Sequence, residues 1–384
     1  MDYAKKSLEL HRKWKGKIEI KAKVKVDTMT ALALAYTPGV AEPCRVIAKN
    51  PQESFNLTAR GNLVAVITDG SAVLGLGNIG AAAGMPVMEG KCVLFKTFAN
   101  VDAVPLCLNT QNVDEIVNII KALEPSFGGI NLEDIGSPRC FEVEKRLKQE
   151  LSIPVMHDDQ HGTAIVVTAA MTNAIKVTKK QKGKLKIVIN GAGAAGIAIA
   201  RLLLLMGFGN IVMVDRIGIL NKNNKSLPPH HMSIAQITNK NNEVGNLADA
   251  LKGADAFVGV SAGNIVSLEM AKSMHKNAIV FAMANPVPEI LPEVAKKAGI
   301  KVMGTGRSDF PNQINNALVF PGMFRGTLDA KAKQITNKMK MAAVEAIAGL
   351  IKPNELKATY VIPSVLDKRV VPAIAKAVAK ASKL

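Results

Sequence analysis

An α/β protein built on parallel sheets is the fold the sequence predicts, and three observations carry the prediction. Short apolar runs, such as 63–68 (LVAVIT), 129–132 (GINL) and 185–190 (LKIVIN), are separated by longer helical patterns. Hydrophobic residues make up 48% of the 384 residues and aromatics only 4%, so Ala, Val, Ile and Leu do the packing, as in helices laid on parallel strands. A glycine loop at 191–196 stands between a strand pattern and a helix pattern. The length allows two domains, each with its own core, and the boundary is placed at 1–160 and 161–384.

The elements follow in order. Residues 1–30 read as a helix and then a basic extended stretch, with period-two alternation at 21–26 that predicts a short strand. Residues 31–40 end in the turn signal Tyr36-Thr37-Pro38-Gly39. The strand 63–68 runs into a glycine-rich turn at 69–77, and further strands are predicted at 92–95 and 104–108. An amphipathic helix over 113–123 carries Asp114 and Glu115 in its first turn, where the helix dipole favours acids. The strand 129–132 presents Glu133 and Asp134 at its end. A charged helix covers 141–150, and a strand over 153–156 ends at Asp158 and Asp159. An apolar helix spans 162–177. Beyond a polar connector, strand and helix alternate: strand 185–190, helix 197–206, strand 211–214, a polar insertion 216–246 and strand 278–283. Helices over 328–350 and 371–380 close the chain.

Composition excludes several classes. No run reaches the about 18 apolar residues of a membrane span, and the first residues lack the apolar core of a secretory signal. Cys44, Cys92, Cys107 and Cys140 form no Cys-x-x-Cys pair and read as reduced thiols of a cytoplasmic protein. The terminal Ser382-Lys383-Leu384 matches a peroxisomal address, a match that lysine-rich tails produce by chance. The net charge of +18 is spread over the whole chain with few Trp or Tyr residues, which argues for a solvated surface and against nucleic acid.

The chemistry concentrates in 133–163. Glu133-Asp134 and Asp158-Asp159 are two acidic pairs at two predicted strand ends, and strand ends of an α/β sheet face the ligand crevice. Clustered carboxylates repel unless a cation lies among them, and all-oxygen ligands select Mg²⁺ or Mn²⁺. His157 and His161 mimic the spacing of a zinc hydrolase. That reading needs a mid-helix location, which Pro154 and Gly162-Thr163 disfavour.

The loop Gly191-Ala192-Gly193-Ala194-Ala195-Gly196 has the spacing of a dinucleotide site, opening a Rossmann-type C-terminal domain. Asp215, at the end of the next strand, would bind the ribose hydroxyls and favours NAD; Arg216 beside it keeps NADP open. Asn285, Asn315 and Asn316 are neutral amides suited to a carboxylate or carboxamide, or to turn capping. Tyr36 and Lys91 are not singled out by spacing.

The chain resembles the small bacterial-type malic enzymes over nearly its whole length. The motifs are AYTPGVAEPC (35–44), TDGSAVLGLGNIG (68–80), PVMEGKCVLFK (86–96), INLEDI (130–135), HDDQHGTA (157–164), NGAGAAGIA (190–198), MANPVPEI (283–290) and NNALVFPG (315–322). Met156 stands where an aromatic is usual, and larger relatives carry an arginine near Ala72. The resemblance implies an N-terminal α/β catalytic domain followed by the NAD domain, and oxidative decarboxylation of L-malate to pyruvate with reduction of NAD. Glu133, Asp134 and Asp159 would hold the metal, with Asp158 beside Lys91. Lys91 would be the general base, its pKa depressed, and Tyr36 the acid. Asn285 and Asn316 would contact malate or the nicotinamide. A homodimer or dimer of dimers is implied. The alternatives are another metal- and NAD-dependent hydroxy-acid decarboxylase and a binding protein that has lost activity; intact Tyr36, Lys91, Glu133, Asp134 and Asp159 argue against the second.

Overall fold

The computed structural model describes residues 3–73 and 75–383; Met1, Asp2, Leu74 and Leu384 lie outside the described residues, and with them the last residue of the Ser-Lys-Leu terminus and one residue of the 69–77 turn. Two sheets organise the chain. The first contains β1 (Leu63–Thr68), β2 (Asp102–Cys107), β3 (Gly129–Leu132) and β4 (Val155–His157), all parallel, in the order β2-β1-β3-β4. The second contains β5 (Lys186–Asn190), β6 (Asn210–Asp215), β7 (Gly218–Ile219), β8 (Ala256–Gly259), β9 (Ile279–Ala282) and β10 (Val302–Thr305). Its order is β10-β9-β8-β5-β6-β7, with only the edge strand β7 antiparallel. In each sheet the chain reverses its direction of growth at the first strand, β1 or β5. Ligands of open α/β sheets bind outside the carboxyl ends of strands at such switch points.

The helix Asp158–Thr178 follows β4 and packs against the helices Ala194–Leu205 and Asn337–Gly349. Its residues from Ala164 to Met171 are all buried, as expected of a helix that is apolar all round. One apolar cluster joins Val64 and Phe95 of the first sheet layer to Ile187 and Ile199 of the second. The last helices return to the first layer. Phe320 and Phe324, on the helix Phe320–Asp329, meet Phe95 with ring centroids 4.7 and 5.3 Å apart.

Four expectations are corrected. No strand forms at 92–95; those residues belong to the helix Ala81–Ala99, which buries Gly84, Met88, Cys92, Phe95 and Ala99 at helical spacing. The basic stretch 21–26 pairs with no strand among the described residues, and Val24 and Val26 are exposed, so its alternation has nothing to bond with. The predicted helix 328–350 is two helices, Phe320–Asp329 and Asn337–Gly349, the second begun by a Thr336 cap. The predicted helix 162–177 starts earlier, at Asp158, so the second acidic pair occupies its first turn. The helices Tyr3–Trp14, Met29–Ala35 and Ala41–Lys49 bury no residue, and Leu34, Tyr36 and Met29 are largely exposed.

Candidate active site

Three elements converge on one buried cluster. β3 delivers Glu133 and Asp134 just past its carboxyl end, with Asp134 in the left-handed region at φ 52°. The first turn of Asp158–Thr178 delivers Asp158 and Asp159. The helix Ala81–Ala99 delivers Lys91, whose Nζ lies 2.6 Å from Asp158 Oδ2 and 3.0 Å from Glu133 Oε1. The Phe320 ring covers the ammonium, with its centroid 4.4 Å from Nζ. Glu133, Asp134 and Asp158 are buried, and Asp159 is about one-third exposed and opens the cluster to solvent.

The backbone fixes these acids. The Asp134 N–H donates to Asp159 Oδ2 at 2.8 Å, which ties the two strand ends together. Asn131 Nδ2 donates to Glu133 Oε2 at 2.9 Å from two positions earlier on the same face of β3. A Cβ on Gly162 would lie 1.9 Å from Asp158 Oδ1, so the glycine that looked like a helix breaker is what lets Asp158 fold back over the turn. Asn316 packs against the same point, its Cβ 3.1 Å from that position.

Electrostatics decide what the cluster can hold. Burial raises the carboxyl of Asp134, and the charges of Asp159 and Glu133 raise it further. Burial also raises Glu133 and Asp159, and pushes Asp158 up to about 7, although Lys91 pulls in the other direction at all three. Burial alone would lower Lys91, but Asp158, Glu133 and Asp159 outweigh it and hold the ammonium above the ordinary lysine range. The depressed lysine expected from the sequence belongs to the cation-bound site; in the metal-free protein the carboxylates keep Lys91 charged. One ammonium thus faces four carboxylates, with charge left to neutralise.

Glu133, Asp134 and Asp159 each offer an oxygen within 4.8 Å of the others, and Asp134 Oδ2 has no hydrogen-bond partner among the described residues. An oxygen-only, buried and under-neutralised set fits a hard divalent cation. The zinc alternative does not fit. His157 ends β4, ahead of the helix that holds His161, so the two do not sit one turn apart on a single helix, and His161 Nε2 already lies 2.9 Å from Glu144.

The glycine loop follows the expected pattern. Gly191 has φ 108°, and a Cβ there would meet Val260 O at 2.7 Å; a Cβ on Gly196 would meet Gly191 O at 1.8 Å. A Cβ on Gly193 would meet nothing within 4 Å, so its side faces open space, as a phosphate approach requires. Ala194 and Ala195 start the helix Ala194–Leu205, whose first turn has no side-chain cap. Asp215 Oδ2 accepts the Ala192 N–H at 2.7 Å and its Oδ1 accepts the Arg216 N–H at 2.7 Å, so the acid at the end of β6 also anchors the loop.

The remaining site residues divide. Asn285 follows β9, with Nδ2 3.3 Å from Met283 O, and its backbone carbonyl would meet a Cβ on Gly75 at 3.0 Å, which places the 69–77 turn over the second sheet. Asn315 Oδ1 caps the turn at Ala317 N, 2.8 Å away, so only its NH₂ is left for a ligand. Tyr36 is 67% exposed, and its side chain makes no contact with the Lys91 cluster among the described residues. Sequence reasoning missed Asn131, Phe320 and Glu144. Asn131 was signalled by its two-residue offset from Glu133; nothing local signalled the other two.

Residues 15–148 match the family model of the malic enzyme N-terminal domain, and 160–383 match that of the malic enzyme NAD binding domain. A bifunctional malic/malolactic enzyme of Bacillus subtilis is 54% identical over all of this chain and 93% of its own. An NAD-dependent malic enzyme of Geobacillus stearothermophilus is 53% identical over 96% of this chain and 77% of its own. The crystal structure of the NAD-dependent malic enzyme of Thermotoga maritima, 50% identical, superposes with a TM-score of 0.94 over 97% of this chain and 98% of its own. With both domain models matched in sequence and the fold shared end to end, the chain belongs to the malic enzyme family.

Proposed function

We propose that the protein oxidises and decarboxylates L-malate to pyruvate and CO₂ while reducing NAD. The observation that carries the proposal is the Lys91–Asp158–Glu133 cluster, buried under Phe320 and set beside an oxygen-only cation site. Glu133, Asp134 and Asp159 would hold Mg²⁺ or Mn²⁺. Such a cation supplies Lewis-acid polarisation of the C2 oxygen and neutralises the carboxylates that keep Lys91 charged. Asp158 Oδ2, 2.6 Å from Nζ, would hold the lysine in place, and with the cation bound the amine would no longer be kept charged by all the carboxylates around it. Neutral Lys91 Nζ then removes the proton from the C2 hydroxyl as hydride leaves C2. Burial under Phe320 keeps water from the ammonium. The first turn of Ala194–Leu205 and Asp215 orient the dinucleotide; Asn285 and Asn316, with the NH₂ of Asn315, orient the substrate carboxylates.

Tyr36 enters this scheme as the acid that protonates the three-carbon product at C3. Its exposure, on a segment whose first three helices bury nothing, supports a homodimer in which that segment covers a second copy. Mixing inactive Tyr36→Phe and Lys91→Met chains tests the arrangement. Activity regained on subunit exchange places Tyr36 in the neighbouring site, and none regained rejects it. A cytoplasmic location belongs to the same proposal. The four thiols are free, and among the described residues no helix is long and apolar enough to cross a membrane.

The test is malate-dependent reduction of NAD or NADP, with Mn²⁺, Mg²⁺ or EDTA, beside a panel of other 2-hydroxy acids. Malate with NAD and a divalent ion is expected to turn over fastest, and EDTA to abolish turnover. No malate-dependent reduction under any metal condition overturns the proposal.

A further inference from the structure

A cavity of about 720 Å³, lined by none of the four clustered carboxylates, lies beside the start of the helix Asp158–Thr178. It is walled by the helices Arg139–Glu150 and Ala194–Leu205, the start of Asp158–Thr178, the short helix Pro229–Ala235 and the start of Asn337–Gly349. No residue of the loop Gly191–Gly196 lines it, so it is distinct from the pyrophosphate site. Its volume is that of a small-molecule pocket.

Its charge is one-sided. Lys145, Lys148, Arg201 and Lys340 line it against a single carboxylate, Glu144. That carboxylate is already satisfied: Lys148 Nζ lies 2.6 Å away, His161 Nε2 2.9 Å away, and the His157 N–H donates to it at 3.1 Å. Burial would raise Glu144, but His161 and Lys148 hold it well below the usual carboxylate range, so it stays charged and occupied. The other cations lack an acid. Arg201 bonds only the Ser233 hydroxyl, at 2.8 Å, and Lys145 has no partner among the described residues. Lys340, 8% exposed on the floor, reaches only His161 Nδ1, at 3.0 Å. Burial, with Lys148 nearby, lowers Lys340 to about 7, the sign of an ammonium short of negative charge. Phe141, Ile197, Ala198, Leu202 and Leu205 supply apolar lining alongside the cations.

We propose that this cavity binds a phosphate monoester carrying an apolar body, its phosphate held by Lys340 on the floor with Arg201 and Lys145 at the rim. A phosphate supplies the acceptor oxygens and the two negative charges that these unpaired donors lack. The apolar lining takes the body. Through Glu144 the floor touches the backbone of His157, the residue before the acidic pair of the first site, so the two sites share a wall.

The test is calorimetric titration of the full chain with 1-naphthyl phosphate, with NADH at saturation to close the dinucleotide site. Inorganic phosphate and 1-naphthol serve as part-probes. One site per chain is expected, with inorganic phosphate competing more weakly and 1-naphthol at least tenfold weaker. Lys340→Met and the double variant Lys145→Ala/Arg201→Ala are each expected to raise Kd at least tenfold. The double variant alters exposed residues only and keeps the wild-type melting temperature, so a fold defect in Lys340→Met does not blunt the test. No binding, or equal Kd in wild type and the double variant, overturns the proposal.

Discussion

Replacing Lys91 with methionine removes the ammonium from a pocket of four carboxylates while keeping the stem under Phe320. Nζ lies 2.6 Å from Asp158 and 3.0 Å from Glu133. At an effective dielectric of about 20, unit charges about 3 Å apart attract by roughly 5 kcal/mol, and removing one partner of a buried pair typically costs about 3–5 kcal/mol. Protonation of Asp158 limits the loss, since neutralising a carboxyl of ordinary pKa near pH 7.5 costs at most about 5 kcal/mol. The variant should therefore lose about 3 kcal/mol of metal-free stability at pH 7.5. The sign of its pH dependence follows from Asp158. A folded-state pKa raised above the unfolded value gives stability that is lost as pH rises, so the deficit shrinks as pH falls towards 5. Turnover of malate should fall by about 10²–10⁴, the usual worth of a positioned base. NADH binding should be unchanged and Mn²⁺ binding no weaker, because a competing cation has gone. Urea unfolding in EDTA, steady-state NADH formation and NADH fluorescence titration read these quantities. Turnover within about threefold of wild type would refute the role given to Lys91.

Other outcomes follow from the same geometry. Asp134→Asn should stabilise the metal-free protein by about 1–3 kcal/mol above pH 6, because the native acid is buried with its pKa raised, and should abolish Mn²⁺ dependence; urea midpoints with and without Mn²⁺ check both. Metal-free wild type should lose stability as pH rises from about 5 to 8, since raised carboxyls bind protons more tightly folded than unfolded, and saturating Mn²⁺ should flatten that slope. Gly193→Ala should keep its melting temperature, as its Cβ would meet nothing within 4 Å, yet raise the Kd for NADH at least tenfold; Gly196→Ala should fail to fold normally, its Cβ lying 1.8 Å from Gly191 O. Asp215→Ala should weaken NADH by about tenfold, having lost the 2.7 Å anchor to Ala192.

The parts of the fold legible in the sequence were those with strong local signals. β1 and β3 were bounded correctly because both are short, almost wholly buried runs that break at Asp69-Gly70 and at Glu133-Asp134, and the helix Val113–Leu123 because its acids and apolar stripe agree. The helix Ala81–Ala99 was misread at 92–95 because Pro86, Gly84 and Gly90 mask its propensity; its stripe is specified by the sheet and by Phe320, distant in sequence. The acids Glu133, Asp134 and Asp159 were found from two adjacent pairs at strand ends, and the structure brings them together. The pKa direction of Lys91 was not legible, because it depends on Asp158 lying 2.6 Å away, a tertiary fact. Phe320 and Glu144 were missed for the same reason: each meets the site from another element.

Manganese binding to the full chain, followed by the loss of the free-ion electron paramagnetic resonance signal, tests the central claim most directly. One Mn²⁺ per chain is predicted for wild type, and Glu133→Gln, Asp134→Asn and Asp159→Asn should each weaken it at least tenfold while leaving NADH binding intact. Wild-type affinity in all three variants would contradict a shared cation site and leave the chemistry proposed at Lys91 without its neighbour.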